Sequence, residues 1–217
     1  MCSDPIERPT SAQARFSSIT GVTGLAEQPL GRFLEEVAEA SPAPGGGSSA
    51  GIACALAAAL VEMAARLAGV SGDGAERASG LRRQALELAE RELTSYEPVL
   101  AAFRLSRDDP SREQRLESTL TEASEPPLAI AEGAAETAVL AARVARASSP
   151  SVRGDALTGA VLAEAASAAA AALVEINLSQ RAGDAAVDRA RAARRQASEA
   201  RARALELASG GDASSPV

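Results

Sequence analysis

The sequence predicts an all-α fold, a single-domain bundle of five to six helices with alanine-rich helices at its centre. Three observations carry this. Apolar residues recur at helical spacing between clear breakers. The apolar share of 46% is mostly Ala, Leu and Val, with 2% aromatic residues and no Trp. The β-branched and aromatic residues that sheets favour are scarce. Small side chains instead let helix axes approach closely.

Residues 1–28 are polar, with scattered Pro, Ser, Thr and Gly and no period, and are expected to form a disordered tail. The helical domain is expected over 29–208. Leu30, Phe33, Leu34, Val37 and Ala38 share one face of a short amphipathic helix ending near Ala40. Two prolines and three glycines in 42–47 then punctuate the chain. Ser48 is the expected N-cap of the next helix, which runs to Gly69 and is apolar nearly all round until Glu62, the pattern of a buried central helix. A charged and apolar helix follows over 75–105, with Pro98 inside it to kink or break it. A loop at 106–112 and a short helix lead to Pro126-Pro127. These prolines are expected in the first turn of a new helix, Leu128–Ala147, where a missing N–H does no harm. Further helices are expected over 152–178 and 184–208. The last carries Arg on one side and Ala and Leu on the other. Residues 209–217 are expected to be disordered. Two largely apolar helices are hard to bury in one small bundle, so a homodimer or higher oligomer is expected.

Composition excludes much chemistry. The chain has no His, and all 22 basic residues are Arg. Ser-His-Asp and Cys-His nucleophile systems, His-based metal sites and Lys Schiff bases are therefore excluded. Acid/base work falls to carboxylates, Tyr, Cys or water. A net charge of −7 argues against a nucleic-acid partner. Cys54 reads as a small buried hydrophobe and Cys2 as part of the tail, with no disulfide and a cytoplasmic location expected. The N-terminus lacks the apolar core of a signal peptide. The apolar runs, interrupted by Glu62 and Arg66 or by Glu164, are expected to fall short of a bilayer span.

Four segments can carry chemistry. Pro44, Gly45, Gly46, Gly47 and Ser48 place backbone N–H groups at a helix start, which suits an anion or polar acceptor, although a capped turn explains them as well. Arg153 and Asp155 open a later helix. Asp155 is there either an N-cap or first-turn acid, or a carboxylate positioned to handle a proton beside an Arg that lowers its pKa. Asn177 ends the same helix and either caps it or binds a heterocycle edge. Glu92 and Tyr96, four apart, share a face. Asp155 and Asn177 are 22 positions apart, about 33 Å on a straight helix, so they cannot serve one small centre within a subunit; either only one is chemical, or a dimer brings opposite ends together at a subunit interface.

Taken in order, these segments resemble the cyclodeaminase/cyclohydrolase family of tetrahydrofolate enzymes. The residues concerned are Phe33 to Ala38, Pro42 to Ser48, Leu60-Val61-Glu62-Met63, Gly154 to Leu157 and Asn177-Leu178. The family comprises the C-terminal domain of formiminotransferase-cyclodeaminases and stand-alone methenyltetrahydrofolate cyclohydrolases. The resemblance spans about 29–205. It implies a dimeric, all-helical enzyme acting on a folate substrate without a metal or other cofactor. Such an enzyme either closes 5-formiminotetrahydrofolate with release of ammonia or interconverts methenyl- and 10-formyltetrahydrofolate. It makes Asp155 the first acid/base candidate and Glu92, where relatives often carry Asp, the second. Residues 44–48 and Asn177 then bind substrate, and Arg153 meets the folate's glutamate carboxylates. One stretch departs from the pattern. Where the family usually has a Thr-x-Gly-Lys-x-Tyr-like segment, residues 68–74 hold neither Lys nor Tyr. A non-catalytic folate- or small-ligand-binding relative on the same scaffold is the alternative, and a purely structural helical oligomer is the third reading.

Overall fold

The structure is a computed structural model that describes residues 24–69, 73–179 and 183–209. The expected tails over 1–23 and 210–217, with Cys2, lie outside the described residues, as do 70–72 of the divergent stretch. Seven helices make up the described chain: α1 (Leu30–Ala38), α2 (Gly46–Leu67), α3 (Gly74–Ser95), α4 (Glu97–Phe103), α5 (Arg112–Ala147), α6 (Pro150–Asn177) and α7 (Ala185–Ser209). No strand occurs among these residues.

Helices α2, α5 and α6 form the middle of the bundle. Helix α3 lies against α2 and α5, and α7 against α5 and α6. The core is alanine-dominated as composition demands, and Ala57, Ala58, Ala131, Ala138, Ala163 and Ala170 are among its fully buried members. Packing is close enough to forbid side chains at some positions. A Cβ added at Gly51 would stand 2.7 Å from the Cβ of Ala89, so α2 and α3 touch nearly backbone to backbone. Cys54 is buried and free, and burial pushes its thiol up to about 11, as fits a packing residue. Glu62, the one buried acid of α2, is held by Arg66 and by Arg82 of α3.

Four expectations need correction. The segment 24–28 belongs to the packed structure. Its chain turns, with Glu27 N–H donating to Gly24 O, and Leu25 is buried with Phe33 and Ala89. Second, α2 begins at Gly46 with Gly45 as N-cap, so Ser48 is a buried first-turn residue and not the cap.

Third, Pro126 and Pro127 do not start a helix. They lie buried inside the continuous 36-residue α5. A proline at 127 removes the N–H that would bond the Ala123 carbonyl. The side-chain amide of Asn177 donates to that carbonyl at 3.5 Å, so tertiary packing offsets part of the local cost. Pro98 behaves as expected. The long charged helix breaks at Tyr96, and Pro98 falls in the first turn of α4.

Fourth, α2 and α6, at 22 and 28 residues, are long and apolar enough to cross a membrane by length and composition alone. In the bundle, 56% and 44% of their most apolar stretches are buried. The remainder leaves Leu56, Met63 and Leu67 of α2 and Val161 of α6 exposed.

Candidate functional site

A cavity of ≈ 860 Å³ opens where the start of α2, the α3–α4 break, the middle of α5 and the end of α6 meet. Each wall follows from local sequence. The loop from Ser41 ends at Gly45, and the first turn of α2 presents Gly46, Gly47 and Ser48 to the cavity. The first amides of a helix have no acceptor within it, so this wall supplies donors to an anion or polar group. Leu173, Ile176 and Asn177 come from the last turn and a half of α6, and Pro127 from α5.

Glu92 of α3 places a carboxyl at the cavity wall. Its carboxyl lies against Gly47, where an added Cβ would overlap Oε2. Gly47 and Gly51, one turn apart, are the face that admits α3 this closely. The Oε1 atom is buried and has no hydrogen-bond partner among the described residues. A buried carboxyl lacking a counter-charge favours its neutral form. Burial accordingly pushes Glu92 up from 4.5 to about 7. A group ionising near neutrality can both accept and return a proton.

The structure thus gathers Glu92, Gly45, Gly46, Gly47, Ser48 and Asn177 around one cavity. Pro44 is buried and follows a cis Ala43–Pro44 peptide, but it does not line the cavity. Asp155 and Arg153 stand at the other end of α6. That helix begins at Pro150 with Ser149 as N-cap, so Asp155 is in its second turn and neither caps it nor sits in the first turn. Arg153 donates to the carbonyls of Ser148 and Leu207, both at 3.3 Å. It therefore ties together the C-terminal ends of α5 and α7, where helix dipoles favour a cation. Neither Asp155 nor Arg153 lines the cavity.

Among the lining residues that the sequence did not single out for binding are Glu97, Leu100 and Arg104 of the α4 segment. The spacing of Leu100 and Arg104 from Tyr96 in steps of four was the available signal. An exposed Arg among 22 gives no other.

Comparisons with known proteins agree with this architecture. A sequence model of the family described as formiminotransferase-cyclodeaminase matches residues 29–197. The methenyltetrahydrofolate cyclohydrolase of Methylorubrum extorquens AM1 is 30% identical over 159 residues, covering 67% of this chain and 76% of that protein. The crystal structure of formiminotetrahydrofolate cyclodeaminase from Thermotoga maritima superposes with a TM-score of 0.75 at 22% identity. The match covers 85% of this chain and 98% of that one, and it is a likeness of fold.

Proposed function

Since the chain belongs to the formiminotransferase-cyclodeaminase family, we propose that it interconverts one-carbon derivatives of tetrahydrofolate, with Glu92 as the group that moves the proton. The observation that carries this is the half-buried Glu92 carboxyl beside the first turn of α2, whose buried Oε1 has no hydrogen-bond partner among the described residues. Both family reactions turn on one amidine-like carbon between two nitrogens. In the cyclohydrolase direction water attacks the methenyl carbon and a C–O bond forms. Glu92 takes one of the water's protons and passes it to N5 as the C–N5 bond breaks, while the remaining hydroxyl proton is released to solvent as the C=O of the 10-formyl product forms. In the cyclodeaminase direction N10 attacks the formimino carbon, Glu92 accepts the N10 proton, and ammonia leaves with a proton returned to it. The methenyl carbon is cationic, so bound substrate draws the carboxyl toward its ionised form. Neither route calls for a metal or a further cofactor. Gly46, Gly47 and Ser48 supply N–H donors, and Asn177 lies within reach of the ring system.

We further infer a homodimer, working in the cytoplasm. Leu56, Met63 and Leu67 fall on one face of α2, at steps of seven and four, and are about half exposed. An apolar stripe of this kind on a helix already buried on its other side suits a second subunit.

The test is the absorbance of 5,10-methenyltetrahydrofolate with purified protein, run beside Glu92→Gln and Asp155→Asn. Accelerated loss with wild type and Asp155→Asn but not with Glu92→Gln supports a cyclohydrolase built on Glu92. Inertness toward this compound, with turnover of the 5-formimino substrate, supports the cyclodeaminase. Inertness toward both overturns the enzymatic reading.

A further inference from the structure

One wall of the cavity carries a pattern that the proposed chemistry uses only at one end. Glu92, Tyr96, Leu100 and Arg104 all line it, in steps of four. Such a step keeps side chains on one helical face. At the α3–α4 break Tyr96 keeps right-handed helical dihedrals, although its N–H donates to Thr94 O and the Glu92 carbonyl accepts from the Ser95 hydroxyl. Leu100 N–H also donates to Tyr96 O, and Arg104 N–H to Leu100 O. Chemical character therefore changes in order along the cavity, from carboxyl to aromatic ring to aliphatic chain to cation. The two ends differ in exposure as well: Glu92 Oε1 is buried and Arg104 is exposed, with Tyr96 exposed and Leu100 half-buried between them.

Arg104 is the one cation among the described residues that line the cavity. Several other arginines are engaged: Arg66 and Arg82 hold Glu62, Arg77 pairs with Glu136, and Arg153 binds two carbonyls. Arg104 has no ion pair and no side-chain hydrogen bond within the described chain. A guanidinium with its donors free at a cavity mouth is suited to a carboxylate, which it can grip through two parallel hydrogen bonds.

We propose that Arg104 anchors the anionic tail of the substrate, and that the stripe from Glu92 to Arg104 fixes its direction in the cavity. The reacting carbon lies at Glu92, the planar ring system against Tyr96, the linker over Leu100 and the tail carboxylate on Arg104. Twelve residues across the α3–α4 break separate the ends, about 18 Å at most, so the occupant is an elongated molecule with a polar reactive head and an acidic tail. The inference rests on the folate reading, in which that tail is a glutamate. It moves the tail contact from Arg153, at the far end of α6, to Arg104.

The experiment pairs binding with kinetics. Wild type, Arg104→Gln and Arg104→Lys are titrated calorimetrically with 5-formyltetrahydrofolate and with its tail-less counterpart, 5-formyltetrahydropteroate. Loss of a charge-assisted contact is expected to weaken binding of the tailed compound about tenfold or more in Arg104→Gln. Arg104→Lys should recover part of this, and the tail-less compound should bind all three proteins alike. In turnover, KM for the tailed substrate should rise by a similar factor in Arg104→Gln with kcat kept within about threefold. Equal affinities of wild type and Arg104→Gln for the tailed compound overturn the inference, even if wild type turns folate over. Tail-dependent, Arg104-dependent binding without turnover supports the anchor and overturns the enzymatic reading instead. Failure of wild type to bind either compound overturns both.

Discussion

The carboxyl of Glu92 occupies the space that a side chain at Gly47 would fill. A glycine in the first turn of α2 thereby decides where the acid of α3 sits, and the two residues act as one unit across the helix pair. Gly47→Ala should displace Glu92 and cost about 1–3 kcal/mol of stability, as overpacking does. Activity should fall toward that of Glu92→Gln. At Gly46 an added Cβ meets only Leu173, at 3.8 Å, so Gly46→Ala should leave the melting temperature nearly unchanged. Thermal melts of the two variants provide the comparison.

Glu92 also sets a pH dependence. Its carboxyl is raised from 4.5 to about 7 on folding, so the folded chain holds that proton more tightly than the unfolded one. Its contribution to stability is therefore full below about 4.5, declines as pH rises toward 7 and is level above it. Glu92→Gln should remove that decline from denaturant-derived stabilities measured between pH 4.5 and 8. In catalysis, kcat/KM for hydrolysis of the methenyl compound should rise through a limb near pH 7, where the free enzyme ionises. The limb in kcat should lie lower, because the cationic substrate favours the carboxylate.

Asn177 and Pro127 are coupled through a third residue. The Ala123 carbonyl receives the Asn177 amide because Pro127 has no N–H to give it. Asn177→Ala should cost about 0.5–1.5 kcal/mol. In a Pro127→Ala background, where the backbone supplies the missing donor, the same change should cost less. A double-mutant cycle by urea denaturation measures the difference.

Arg153 should behave as a structural clamp. Arg153→Ala removes two contacts to helix-end carbonyls, and an expected loss of about 1–3 kcal/mol in stability follows. KM for the folate substrate should stay at the wild-type value, in contrast to the Arg104 variants.

The apolar stripe of α2 predicts an association that charge will break. Leu56→Glu with Met63→Glu should shift the protein from dimer to monomer in sedimentation equilibrium while helicity by circular dichroism is kept.

Much of the fold could be read from the sequence because its signals were local and strong. The alanine-rich runs around Ala57 and Ala170 could only be closely packed helices, and Pro98 marked the α3–α4 break. Pro126-Pro127 misled because the local rule for proline was overridden by burial and by Asn177, a residue about 50 positions away. The cavity was partly legible. Glu92 and the glycines of 45–47 stood out as residues that a plain helical bundle does not require, and the structure puts them together. Asp155 stood out equally, yet its helix starts at Pro150, five residues before it, and it stands at the end of α6 away from the cavity. Arg104 gave only its spacing from Tyr96, since its meaning depends on which helix face borders a cavity.

The scarcity of aromatic residues, which shaped the packing, also makes the molecule report on itself. The chain has one tyrosine and no tryptophan, and that tyrosine, Tyr96, borders the cavity. Nearly all of the protein's intrinsic ultraviolet emission must therefore originate at the site. Arrival of a ligand can be followed optically on the unlabelled protein, with no signal from the rest of the fold to subtract.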